Sequence, residues 1–161
     1  MDLYVGPPEI LRRVADRPAG SPIHRQADLT EWMRRQHTRR PVAATFVIDC
    51  EGVLLLAERH GGHVICAGGA PVLAAGELVL EGTETPVITS ITNQSTGYCP
   101  EGSSWDAVEK TLSQLGLTFP GGFTHTFTFR RCGACGQINV VKDEDYTCSV
   151  CLHALPVGPN L

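Results

Sequence analysis

The chain has 161 residues, 42% of them apolar, and a net charge of −4, which suits one ordinary domain with a real core and a small satellite. The charge is uneven: residues 1–42 carry eight Arg against five acids, residues 43–125 only Arg59 and Lys110 against nine acids, and residues 126–161 three of each sign. That balance speaks against non-specific gripping of a phosphate backbone, no apolar run reaches membrane-spanning length, and the start MDLYVGPPEI lacks the basic-then-apolar form of a secretory signal, so a cytoplasmic protein is expected.

Residues 1–42 read as an N-terminal helical segment. Pro7 and Pro8 suit the start of a first helix with Ile10, Leu11 and Val14 on one face. RPAGSP (17–22) breaks it, and Asp28 with Glu31 resembles a capping box for a second helix with Leu29, Trp32 and Met33 as its apolar face. Arg34, Arg35, Arg39 and Arg40 then suit either a solvated helix end or a docking surface for an acidic partner. Residues 43–120 predict an antiparallel β domain with one packed helix. TFVID (45–49), a Cys50-Glu51-Gly52 turn and VLLLAE (53–58) read as a hairpin, and HVICA (63–67) as a third short strand. VLAAGELVLEG (72–82) and PVITSITN (86–93) read as another strand pair. Ser103 or Ser104 caps the helix WDAVEKTLSQLG, whose stripe of Trp105, Val108, Leu112 and Leu115 belongs in the core and whose stop is Gly116. PGG (120–122) is the expected hinge into a terminal unit at 123–156. THTFTFRRC (124–132) alternates like its entry strand, and INVVK (138–142) with DYTC (145–148) reads as its hairpin.

That terminal unit carries the clearest motif. Cys132 and Cys135, a twelve-residue spacer, then Cys148 and Cys151 make paired C-x-x-C knuckles, the sequence form of a zinc ribbon. Each knuckle turns two thiolates toward one point, and two knuckles complete a tetrahedron. Disulfides or a redox dithiol are the competing reading, which a reducing cytoplasm disfavours. One structural Zn2+ per chain is expected, and four protein thiolates leave no open position for a substrate.

His60, His63 and Cys66 stand as H-x-x-H-x-x-C beside a glycine turn. They offer a second metal site completed by Cys99 or Cys50, a Cys–His catalytic pair, or simply turn and core residues. If 63–67 is a strand, His63 and Cys66 face opposite sides, which fits neither functional reading well. TNQSTGYCPEG (92–102) is the densest polar stretch: Asn93, Gln94, Ser95, Thr96 and Tyr98 suit a ligand cleft, or a strand-to-helix loop stitched by its own side chains. AGGAPVLAAGE (67–77) is glycine-rich without being a phosphate loop, and Glu77 is its one carboxylate. His125, alternating with Phe123 and Phe127, reads as structural.

HVICAGGAPVLAAGEL, TNQSTGYCPE and CGACGQINVVKDEDYTCSVC together resemble a group of small uncharacterised bacterial zinc-ribbon proteins. Those combine an AGG-P-V-x-x-AGE strand pair, an N-x-S-x-x-Y-x-P loop and a closing ribbon. The two central motifs alone also resemble a β-rich module of longer proteins. The resemblance covers about residues 44–156 and carries no activity. It implies that Gly68, Gly69, Ala75, Gly76, Glu77, Asn93, Ser95, Tyr98 and Pro100 belong to one shared site or corner.

The expected fold is α+β: a small antiparallel sheet with helices and a C-terminal zinc ribbon. The leading functional reading is a zinc-ribbon binding or adaptor protein that recognises a protein or small polar ligand through residues 67–77 and 92–101, with Glu77, Asn93, Ser95 and Tyr98 as contacts. The alternatives are an enzyme of unknown reaction using His60 or His63 with Cys66 or Ser95, and a nucleic-acid-binding accessory factor resting on Arg130, Arg131 and the ribbon.

Overall fold

The structure, a computed structural model, describes residues 1–14, 19–36, 41–82 and 84–161. Arg39 and Arg40 of the basic cluster, and Arg17 and Pro18 of the expected break, lie outside them. The fold is α+β. Its central strands are β1 (Ser21–Ile23), β2 (Val42–Asp49), β3 (Leu54–Glu58), β4 (Val72–Glu81) and β5 (Val87–Ile91). They form one sheet in the order β1-β3-β2-β4-β5, with every neighbouring pair antiparallel. The first helix, α1 (Pro8–Val14), starts at the expected proline and buries Val14.

Both faces of this sheet are covered, which is why its strands read as near-continuous apolar runs. Phe46, Ile48, Leu54, Leu56, Leu78 and Leu80 point to one face. There they meet Leu29, Trp32 and Met33 of α2 (Gln26–Arg35) and Val108 and Leu112 of α4 (Trp105–Gln114). Val47, Val72 and Ala75 point to the other face, against Cys66, Tyr98 and the partly buried Tyr4. The first residues of the chain also join this side: Asp2 and Val72 exchange backbone bonds, and the Val5 N–H donates to Gly97 O at 2.8 Å.

Three elements of this part differ from expectation. Ser21–Ile23, overlapping the end of the expected break, is a strand. It occupies the sheet's edge, where the missing N–H of Pro22 is tolerated. The second helix starts at Gln26 rather than after an Asp28 cap; Asp28 sits in its first turn and accepts from the His24 N–H (3.1 Å). HVICA is not a strand but the short helix α3 (His63–Cys66). The cause is topological: β3 and β4 both lie antiparallel to β2, so they run parallel to each other and need a crossover over β2. Residues 59–71 make it, and the helix closes with Gly68 N–H to Ile65 O and Gly69 N–H to Val64 O.

α4 is followed by a segment that runs back along β5. The Ile88 N–H donates to Thr118 O, and the Thr124 N–H donates to Ile91 O. This run delivers the chain to a second, two-stranded sheet of β6 (Thr128–Arg131) and β7 (Ile138–Val141). DYTC forms no strand; single bridges, Lys142 to Asp145 and Thr147 to Ala154, tie this part of the ribbon together.

Candidate metal centre and its junction with the sheet

The four ribbon thiols converge. Cys132 Sγ lies 3.5 Å from Cys151 Sγ, Cys135 Sγ lies 3.7 Å from Cys148 Sγ, and all four sulfurs fall within 4.8 Å of one another. A disulfide would bring two of them to about 2.05 Å. Thiolates about 2.3 Å from a tetrahedral ion stand about 3.8 Å apart, so the donor set fits a bound metal and not a pair of bridges. Among the described residues this is the one His/Cys/Asp/Glu group that converges on a metal position.

Local backbone geometry builds the site. The Gly136 N–H donates to Cys132 O and the Leu152 N–H to Cys148 O, closing two equivalent knuckles. The residue after each second cysteine has a left-handed backbone: Gly136 at φ 76° and Leu152 at φ 60°. The first knuckle uses the residue suited to that conformation; the second strains a leucine into it. Amide N–H groups of Cys135 and Ala134 lower the Cys132 thiol, and those of Cys151 and Val150 bring Cys148 down to about 6; Cys151, although its backbone bond with His153 lowers it, is pushed up to about 12 by the neighbouring Cys132 and Cys135 thiols.

Polar side chains fasten this unit from outside the tetrahedron. Asn139 Oδ1 accepts from the Ser149 N–H (3.0 Å) and hydroxyl (2.9 Å), while its amide nitrogen donates to Gln137 O (2.9 Å) and faces Cys148 Sγ at 3.6 Å. Arg130 is buried. It donates to Glu101 Oε1 at 2.7 Å and to Val157 O at 3.0 and 3.1 Å, so its charge is satisfied inside the protein. Only Arg131 of the pair remains for outside contacts.

The polar residues of 92–102 are a joint. Asn93 is fully buried. Its amide nitrogen donates to Pro100 O and to Phe127 O, both at 2.8 Å, and its Oδ1 accepts from the Phe127 N–H (2.6 Å). It therefore locks the strand-to-helix loop onto the chain entering the ribbon. Ser95, also fully buried, accepts from the Tyr98 N–H (3.3 Å). Tyr98 donates its hydroxyl to Ala70 O (2.8 Å) and packs edge-on against Tyr4. Asn93, Ser95 and Tyr98, expected to face a ligand, thus direct these bonds to the protein itself. Gly76 completes the corner: a side chain there would run into the Thr92 carbonyl oxygen. Gln94 and Thr96 are the exposed members of the loop.

The remaining candidates scatter. His60 lies exposed in the turn after β3. His63 is half-buried with Nε2 3.0 Å from Gly76 O, and burial depresses its pKa against the opposing pull of that carbonyl and Glu77. Cys66 is buried on α3 with Sγ 3.5 Å from Leu55 O, and burial pushes its thiol up to about 12. Cys99 is raised likewise to about 12 by burial. Glu77 faces Arg59 at 3.7 Å near the surface, an ion pair of small consequence. Cys50 is exposed and donates to Pro71 O (3.2 Å).

Sequence reasoning missed Asn139, Glu101 and Asn160 as supports of the ribbon. Asn139 left a trace, a lone amide within the apolar INVV. Glu101 and Asn160 left none, because their partners Arg130 and Arg131 lie 29 positions away in each case. No protein-family model matches the chain, and no curated protein or solved structure matches it either.

Proposed function

We propose that this is a cytosolic zinc-stabilised binding protein whose metal is structural and whose task is to recognise another protein. The observation that carries the reading is the contrast between its polar groups. The tetrathiolate site is closed by four protein ligands. Elsewhere Asn93, Ser95, Tyr98 and His63 turn hydrogen-bonding groups to the protein's own atoms, and the Cys66 and Cys99 thiols are pushed away from the reactive thiolate. What faces outward instead is an apolar surface on the ribbon: Val150 is 65% exposed, Leu152 78% and Val157 72%, while Arg131 adjoins the ligand Cys132. Four thiolates suit Zn2+ or iron, and we assign zinc on the paired C-x-x-C spacing of a zinc ribbon. A chain with all seven cysteines free belongs in a reducing compartment.

Elemental analysis and thiol labelling test this reading together. The metal-loaded protein should carry one zinc per chain and no iron. Iodoacetamide at neutral pH should modify Cys50 well before Cys66 or Cys99. Fast alkylation of Cys66 or Cys99 would overturn the reading in favour of cysteine chemistry, and bound iron would overturn the metal assignment.

A further inference from the structure

We propose that the outer edge of β7, with the groove beside it, accepts an extended acidic peptide of a partner protein as a third strand of the ribbon sheet. The inference rests on the binding-protein reading above and gives it a site and a chemistry.

The hydrogen-bond parity of the β6–β7 hairpin sets the argument. The Cys132 N–H donates to Gln137 O, and Cys132 and Gln137 continue the hairpin register. The Arg130–Asn139 and Thr128–Val141 pairs are then the bonded ones, while Phe129–Val140 and Arg131–Ile138 turn their backbone groups outward. On the β6 side three of the four outward groups are held, all but the Phe129 N–H. The side-chain amide of Asn160 accepts from the Arg131 N–H (2.9 Å) and donates to Arg131 O (2.7 Å), and Arg130 donates to Phe129 O (2.6 Å). On the β7 side only Ile138 O is held, by Gln137 (2.9 Å). The N–H groups of Ile138 and Val140 and the Val140 carbonyl find no partner among the described residues.

β7 also lines a groove of about 580 Å³ between the hairpin and residues 5–7. Pairing places Phe129, Arg131, Ile138 and Val140 on one face of the hairpin, and Val5 and Pro7 form part of the opposite wall. Alternate side chains of an added strand would meet this apolar lining. The charge in the groove selects the occupant. Arg131 is its one charged residue, no acid lines it, and its guanidinium pairs with no carboxylate among the described residues. An incoming Asp or Glu would supply that pair, and a Lys or Arg in the same place would be repelled. An edge of four residues is ~13 Å long, room for four or five residues of an extended segment.

The test uses the zinc-loaded full chain as bait for a phage library of random heptapeptides, with Val140→Pro and Arg131→Glu in parallel. Proline at Val140 removes an outward N–H without breaking the β6 ladder. Wild type should enrich peptides with alternating apolar residues and an Asp or Glu. A synthetic copy of an enriched peptide should bind Val140→Pro roughly tenfold or more weakly at unchanged zinc content. Arg131→Glu should instead enrich Lys- or Arg-bearing peptides. Should Val140→Pro fail to fold, the charge switch alone decides. Peptides that bind both variants as well as wild type would overturn the third-strand site while leaving a binding protein with another face. Enrichment of nothing, or binding of a single-stranded oligonucleotide in place of peptides, would overturn it too, and thiol labelling would still decide the broader reading on its own.

Discussion

Asn93 makes three hydrogen bonds with one amide, to Pro100 O, Phe127 O and the Phe127 N–H, in a place water does not reach. Truncation would orphan all three partners, so Asn93→Ala should cost about 3 kcal/mol in denaturant unfolding, far more than a surface amide. Asn93→Asp should also be strongly destabilising, because a carboxylate cannot donate to the two carbonyls. An Asp variant as stable as wild type would show that the bonds are not made as described. Leu152 gives a prediction of opposite sign. Its side chain is 78% exposed and its backbone is left-handed, so Leu152→Gly loses little packing and relieves about 1 kcal/mol of strain. Thermal unfolding of the metal-loaded protein should rise or hold level; a clear fall would mean that the leucine packs against something in solution.

The longer strands and the two ten-residue helices are legible as elements because each buries a regular face, and that period survives in the sequence. α3 is not, since its four residues, His-Val-Ile-Cys, favour a strand by composition. What makes them helical is a demand of topology, the need to cross β2 between two parallel strands, and local pattern carries no trace of it. β1 is hidden for a related reason: a strand of Ser-Pro-Ile exists only because β3 offers it an edge. The candidate site divides in the same way. Paired knuckles announce a tetrahedron through spacing alone, whereas the role of 92–101 depends on where Phe127 and Ala70 arrive. The α3 crossover yields its own test. His63 is held neutral by burial, so its pKa lies lower in the folded chain than in the unfolded one. The unfolded chain then takes up a proton first as pH falls, and the stability His63 gives is complete above about pH 6.5 and lost progressively below it. Stability measured from pH 7.5 to 5 should fall less in His63→Gln than in wild type, and parallel profiles would remove His63 as the cause.

At the scale of the molecule there are cores of very different strength. The main sheet buries two faces with its own helices, while the ribbon's cluster is Cys132, Cys148 and Leu155 with Val141 and Tyr146 against it. So small a cluster cannot hold a fold without cross-links, and an ion bound by the four thiolates would supply them. Chelation at neutral pH should therefore erase hydrogen-exchange protection of β6 and β7 while that of β2 and β4 persists. Simultaneous loss of both would mean that the sheet depends on the metal for its existence.

The Asn93 clamp gives this arrangement a thermodynamic consequence. One amide bonds to the loop that closes the sheet and to the strand that opens the ribbon, so the two units share a free energy through it. By reciprocity, whatever the metal contributes to holding the loop, the loop returns as affinity for the metal. A change at residue 93, which touches none of the thiolates, then becomes a change in how tightly an ion is held.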